Sequence, residues 1–510
     1  MPYPFYQSDM NYLSIKNQET VPLSSIPVLE YQDFLSGNIG LLKGRSDRHC
    51  VNYFGLESGK VLQLYCCIAD DSDHTVMISS SRADTKKALE SFTSHNLNFE
   101  KFEREIHENF GISYTNHPWL KPVRYSSVRR DAGSEMKTYP FFGIESEELH
   151  EVGVGPVHAG IIEPGHFRFV CNGEQILHLE IQLGYQHRGV EQLFLEKKKL
   201  SQLATLAENI AGDSVIGHST AFAYLWESLS GTDVPADVVF ARTLAQEIER
   251  IAIHTGDLSA ICTDIAYQLG SSVFGRLRTP IINYFQEWCG NRLSKSLIRP
   301  GRNPYPFTKE LANRLIEVLD AFEPDFDEMC EQVYKLPSAL SRLERTGALS
   351  YEQLLEIGTV GMSARMNALL RDIRISHPYG LYPALDHQFI IKHHGDVNSR
   401  TKIRREEVKQ SVAYLRKLAT MMPETQAESA IPKDTRFKPD SFALSLTEGW
   451  RGEICHTAVT GSQGELLLYK IKDPSFHNWL ALALSVRNNE ISDFPICNKS
   501  FDLSYCGHDL

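Results

Sequence analysis

Hydrophobic and polar positions alternate with the period of a β-strand twice near the start of the chain, in Lys60-Val-Leu-Gln-Leu-Tyr-Cys-Cys-Ile and in Thr75-Val-Met-Ile-Ser. Helical spacing follows over Lys87 to Thr93 and Phe99 to Phe110, so this first part predicts a small α+β domain. Periodicity then lapses. From Arg124 to Glu151 Ser, Arg, Glu and Gly dominate, which predicts a linker over residues 126–150 between one domain at 1–125 and another at 151–510. The second domain opens on two strand-like runs between His166 and Ile181, parted by Asn172-Gly173, a dipeptide favoured in two-residue hairpin loops. Helices then take over. Asp233 and Pro235 open a segment with Leu244, Ile248 and Ile251 on one face and Glu247, Arg250 and His254 on the other. Glu310 to Phe322 and Glu406 to Met421 carry similar periods, and near the C-terminus Gly452 to Val459 and Glu465 to Ile471 flank Gly461-Ser-Gln-Gly as a second hairpin. The predicted class is α+β: a small α+β domain, then a large mainly helical domain with peripheral β-hairpins.

Composition agrees with a folded protein, since 42% of the 510 residues are hydrophobic and 23% are charged. The net charge of -12 argues against broad attraction to nucleic acid, so no nucleic-acid partner is expected. The apolar run Trp479 to Leu484 falls far short of the roughly 20 residues that cross a bilayer, and any membrane contact is expected to be peripheral. Met1-Pro-Tyr-Pro-Phe lacks the basic flank and apolar stretch of a secretory signal, which predicts a mature start near Met1 and a cytoplasmic setting. Ten cysteines are scattered with no Cys-x-x-Cys pair, and they are expected to be small buried hydrophobes rather than a disulfide framework or a cluster ligand set.

Generic motifs stop here, since there is no P-loop, no GxSxG elbow, no HExxH helix and no well-placed GxGxxG. Ordered blocks carry more. Phe102-Glu-Arg-Glu-Ile-His-Glu-Asn-Phe-Gly-Ile and Asn116-His-Pro-Trp-Leu-Lys-Pro lie in the first domain. In the second lie Gly155-Pro-Val-His-Ala-Gly-Ile-Ile-Glu-Pro, Gly184-Tyr-Gln-His-Arg-Gly-Val-Glu and Glu247-Ile-Glu-Arg-Ile-Ala-Ile-His-Thr-Gly-Asp-Leu. They continue through Gly358-Thr-Val-Gly-Met-Ser-Ala-Arg, Gly395-Asp-Val-Asn-Ser-Arg, Arg451-Gly-Glu and Asp473-Pro-Ser-Phe-His-Asn-Trp. In this order the blocks resemble the 30-kDa-type and 49-kDa-type subunits of respiratory complex I, fused as in the large subunits of membrane-bound group 4 nickel–iron hydrogenases.

The resemblance implies where a metal centre would stand. Such hydrogenases hold nickel and iron through thiolates of two Cys-x-x-Cys motifs, because soft sulfur ligands suit both metals. Here the corresponding positions are Ala211 and Ser214 in Glu208-Asn-Ile-Ala-Gly-Asp-Ser, and Ser504 and Gly507 in Asp502-Leu-Ser-Tyr-Cys-Gly, with Cys506 one residue out of register. No metal is therefore expected. Complex I lacks the same cysteines and uses the cavity for quinone, so quinone is the ligand the resemblance suggests. Its tyrosine falls at Phe222 and its histidine near His166, which as plainly reads as an exposed strand-end residue. Glu163 corresponds to a glutamate that passes protons, its plain alternative being a loop carboxylate before Pro164, and Arg451 to an arginine lining the hydrogenase cavity. Arg188 and His254 correspond to residues facing a 4Fe-4S cluster in a partner subunit, the alternative being a surface salt-bridge pair. The implied function is a core subunit on the inner face of the cell membrane, lacking a nickel–iron centre. Its partners would be a small iron–sulfur subunit and integral membrane subunits, and it would couple electron arrival at the partner's cluster to quinone reduction or proton and ion translocation. The rival is a non-catalytic scaffold that docks the same partners.

Overall fold

The computed structural model describes residues 11–59, 61–131, 135–158, 162–423 and 436–510. The expected start at Met1, Lys60 at the head of the first strand, residues 132–134 of the linker and residues 159–161 of the 155–164 block lie outside them. The two early strand patterns form Val61–Asp70 and Thr75–Ala83, paired antiparallel. Arg48–Ser58 adds to one side and Leu13–Ile15 to the other, while Val28–Leu29 runs parallel along Thr75–Ala83. Aromatic rings fill the core under this sheet: Phe92 lies 4.8 Å from Phe99 and 5.0 Å from Tyr53, centroid to centroid. The helix expected from Phe99 is Glu100–Phe110.

The helix expected at Lys87 to Thr93 does not form; Leu89–Glu90 instead pairs in parallel with Tyr114–Thr115. The buried Glu103 carboxylate accepts the backbone N–H groups of Phe92 and Thr93 and both hydroxyls of Ser91 and Thr93. Those bonds to a buried charge outweigh a weak local helical period.

In the second part His166–Asn172 and Gln175–Gln182 make the expected hairpin, joined on its outer side by His150–Val154. Its loop is Gly173-Glu174, one residue later than the Asn-Gly reading, with Gly173 at φ +57° where glycine is favoured. The long helices are Ala236–Asp264, Gln268–Cys289, Lys309–Lys335 and Val397–Thr420. The third runs past the expected end at Phe322 and through Pro324, because Phe326, Met329, Cys330 and Val333 continue its buried stripe. The C-terminal hairpin forms from Gly452–Thr460 and Leu466–Lys472. Beside it lies an unforeseen strand, Ser441–Gly449, buried at every residue and so without alternation to read.

The outer edge of this last sheet is completed by Thr20–Pro22 from the first part of the chain, with Thr20 opposite Ala443. Ile15, Val21, Phe54 and Tyr65 accordingly share one core with Phe442 and Leu444. Buried polar contacts cross between the two parts as well, a hydrogen bond of 2.7 Å between His49 and Glu453 and an ion pair of 2.6 Å between Lys470 and Glu105. All ten cysteines are buried and unpaired, as expected of small hydrophobes. Among the described residues no helix is long and apolar enough to cross a membrane.

Candidate functional site

Three segments meet at one point: the loop Glu208 to Ser214, the tight turn from Gly449 to Gly452, and the C-terminal stretch from Asp502. Arg451 ties them together. Its two terminal nitrogens each lie 2.6 Å from an oxygen of Asp213, its Nε donates to the carbonyl of Asp502, and Nη1 reaches the Ser214 hydroxyl at 3.3 Å. The guanidinium sits 3.9 Å over the Trp450 ring. A two-point grip on a carboxylate, stacked on an indole, fixes this side chain in one orientation. It is 4% exposed while Asp213 is 38% exposed, so the arrangement opens to the surface on the Asp213 side.

The turn is positioned from below by a buried charge network. Arg250, from Ala236–Asp264, donates to the carbonyls of Glu448 and Gly449 at 2.8 and 3.2 Å. Glu407, from Val397–Thr420, accepts from Arg365 at 2.6 Å and pairs with His254 Nε2 at 2.7 Å. Burial alone would raise the Glu407 carboxyl, but Arg365 and Arg250 outweigh it and hold it well below the ordinary carboxylate range. Burial lowers His254 to about 4, so it is neutral near pH 7 and its Nε2–H donates to Glu407. The helix face carrying Glu247, Arg250 and His254 was expected to be the polar one; it is polar, and it is buried in this network rather than solvated.

The positions corresponding to metal ligands have other employment. Ala211 offers no donor and is fully buried. Ser214 takes the Arg451 bond, and the Ser504 hydroxyl accepts the Gly507 backbone N–H at 2.9 Å. Gly507 lies against Asp473: a Cβ at 507 would sit 2.7 Å from the carboxylate carbon and from Oδ2. A side chain at 507 would require the Asp473 carboxylate, which His218 and the Ser475 N–H hold in place, to shift, so the space for a fourth ligand is filled by a carboxylate. Cys506, the nearby thiol, is pushed up to about 11 by burial and by Glu163, which keeps it a thiol rather than a ligating thiolate. This donor set does not fit a nickel–iron centre, and among the described residues no three His, Cys, Asp or Glu side chains are grouped to hold a metal ion.

The other expected site residues divide. Glu163 is half-buried, and its Oε2 accepts the Cys506 backbone N–H at 3.1 Å. Arg188 is exposed and donates to the carbonyls of Asn209, Ile210 and Cys506 at 2.5, 2.8 and 3.0 Å. Glu163, Arg188 and Arg451 thus converge on the stretch from Asp502 to Cys506. His166 is placed elsewhere, on the outer hairpin, with Nδ1 3.2 Å from the Gly155 carbonyl and its ring 5.2 Å from Phe141. His254 is fully buried under Trp450, 5.9 Å away ring to ring. Phe222 packs among Phe194, Trp226 and Tyr469 at 2% exposure. Cavities of about 570 and 400 Å³ flank the region, one lined by Lys101, Trp119 and Trp479 and one by Glu105, Glu191 and Tyr469; neither is lined by Glu163, His166 or Arg451. Asp213 and Asp473 escaped the sequence reading. The one signal for Asp473 was its block, Asp473-Pro-Ser-Phe-His-Asn-Trp, which was legible as a resemblance but not as chemistry.

Comparison with known proteins places the chain among related subunits. The model for the 30-kDa subunit of the respiratory-chain NADH dehydrogenase matches residues 39–127, and that for the 49-kDa subunit matches residues 269–440. Hydrogenase-4 component G of Escherichia coli is 27% identical over 389 residues, covering 76% of this chain and 67% of that protein. The C/D protein of the NADH-quinone oxidoreductase of Phocaeicola vulgatus is 26% identical over 438 residues, covering 78% and 82%. A chain in the structure of the membrane-bound sulfane sulfur reductase, an archaeal respiratory membrane complex, shares the fold at TM-score 0.67 and 20% identity, over 72% of this chain and all of that one.

Proposed function

From the chain's membership of the complex I and group 4 hydrogenase family, in which it joins the 30-kDa-type and 49-kDa-type subunits on one polypeptide, we propose that it is the core subunit of a membrane-associated oxidoreductase that works without a nickel–iron centre. The observation that carries this reading is the Asp473 carboxylate in the space a ligand at 507 would need. The subunit docks a small iron–sulfur subunit on the side where Arg188 and Asp213 are exposed, and integral membrane subunits carry the ion path. Electrons arriving at the partner's 4Fe-4S cluster are coupled to proton movement through the stretch that Glu163, Arg188 and Arg451 enclose. Proton movement is better supported than quinone binding, since Phe222 lies in an aromatic cluster and His166 on an outer hairpin. The scaffold reading draws its support from the same closure, because the hydroxyl of Ser504 and the thiol of Cys506 are already engaged with their neighbours.

Metal analysis of the natively purified assembly is expected to find no stoichiometric nickel, and the assembly is expected to take up no hydrogen. Stoichiometric nickel together with hydrogen uptake would overturn the reading.

A further inference from the structure

A second polar array lies behind Gly507, and apart from Asp473 none of its members has been given a role. Asp473 Oδ2 is 3.0 Å from His218 Nε2, His218 Nδ1 is 3.1 Å from His456 Nε2, and His456 Nδ1 is 2.7 Å from the Tyr469 hydroxyl. The first three are fully buried and Tyr469 is 5% exposed. They come from four separate elements: the helix Val215–Ser230, the strands Gly452–Thr460 and Leu466–Lys472, and the start of Pro474–Ser485. A neutral buried histidine has one donor and one acceptor nitrogen to satisfy. Two imidazoles bonded nitrogen to nitrogen, capped by a carboxylate and a phenol, use every ring nitrogen.

The donors can be assigned. Burial alone would raise Asp473, but the bond from His218 and the charge of Arg451 bring it down to about 2, so it is an acceptor. His218 Nε2–H therefore donates to it. Burial holds His456 well below the usual histidine range and so neutral, and burial keeps the Tyr469 phenol protonated. With His218 Nδ1 accepting, His456 Nε2–H donates to it and Tyr469 O–H donates to His456 Nδ1. Every proton points the same way, from Tyr469 toward Asp473.

The geometry points to a proton relay running from Tyr469 through His456 and His218 to Asp473, which ends at the carboxylate beside Gly507. In one passage the Tyr469 O–H bond breaks and an N–H forms at His456 Nδ1. The His456 Nε2–H then passes to His218 Nδ1, and the His218 Nε2–H passes to Asp473 Oδ2. A solvent proton restores the phenol, so one proton moves inward and no electron is transferred. With the transferred proton on Asp473 and each imidazole N–H turned about, every ring nitrogen is again paired, and return of both histidines to the first tautomer once that proton leaves resets the relay. The use of the relay rests on the proton-coupled reading of the site, whereas its existence does not.

Tyr469→Phe tests it, because the ring still stacks 4.1 Å from Phe194 and only the hydroxyl is lost. In the assembled complex carrying ¹⁵N-labelled histidine, both His218 and His456 are expected to show the Nε2–H tautomer. Their ring N–H exchange with D₂O is expected to slow on the order of tenfold or more in the variant, since exchange then requires local opening. Exchange that stays unchanged, with thermal melting unchanged, or an Nδ1–H tautomer at either histidine in the resting complex, overturns the relay. Slowed exchange with undiminished redox turnover upholds the relay and overturns the proton-coupling reading instead.

Discussion

Glu407→Ala will lower the stability of the chain by about 3–5 kcal/mol, the usual consequence of deleting one partner of a buried ion pair. The carboxylate is shared by Arg365, Arg250, Arg374 and His254, all at 0–1% side-chain exposure. Removing it leaves three guanidiniums with Glu247 and Asp372 as the nearby carboxylates held below their ordinary range, while burial and the neighbouring Asp372 charge push Glu448 up to about 8. One buried cation is left unbalanced. Because the folded Glu407 carboxyl lies well below its ordinary value of 4.5, its contribution is complete above that pH and is lost only as the pH falls toward the folded value. Guanidinium chloride denaturation should thus show a gap between parent and variant that stays constant from neutrality to about pH 5 and narrows only in stronger acid. A gap below about 1 kcal/mol, or one that widens toward acid, would contradict the assignment of Glu407 as the network's anchor. The effect should also reach the site, since Arg250 of this network holds the carbonyls of the turn that carries Trp450 and Arg451.

Glu163→Gln should leave assembly intact and reduce coupled redox turnover by about 100-fold or more, the typical contribution of a positioned proton donor or acceptor. A glutamine oxygen can still accept the Cys506 N–H that Glu163 accepts at 3.1 Å, so the local fold has no reason to change. What disappears is the ability to take up and release a proton. The measurement is turnover of the assembled complex, with the presence of every partner verified. Undiminished, fully coupled activity would exclude Glu163 from proton transfer and favour the scaffold.

Much of the architecture was legible because it is written in local patterns. Asn172-Gly173 marked a hairpin to within one residue, and Pro235 marked the start of the helix Ala236–Asp264. Ser441–Gly449 was hidden because a strand buried on both faces has no period, and Lys87 to Thr93 misled because its conformation is set by Glu103 in another element. At the site, the absence of thiolate donors at Ala211, Ser214, Ser504 and Gly507 could be read directly, since ligand chemistry belongs to residue types. The approach of the Asp473 carboxylate to Gly507, and the bond between His218 and His456, 238 residues apart, belong to tertiary structure. So does the burial of His254, whose helix face reads as polar and which is covered by Glu407 and Trp450.

The strand Thr20–Pro22 finishes a sheet whose other members are made at the far end of the chain, and the Asn17 side chain bonds the Leu446 carbonyl across 429 residues. At a synthesis rate of about 5–20 residues per second, a ribosome emits this strand roughly 20–90 s before its partner exists. Through that interval Ile15 and Phe54 of the first sheet, and Val21 of the waiting strand, lack the Phe442 and Leu444 that later share their core, and His49 lacks Glu453. The nascent N-terminal part is thus an apolar surface in waiting, and its completion is timed by the last strands to leave the ribosome.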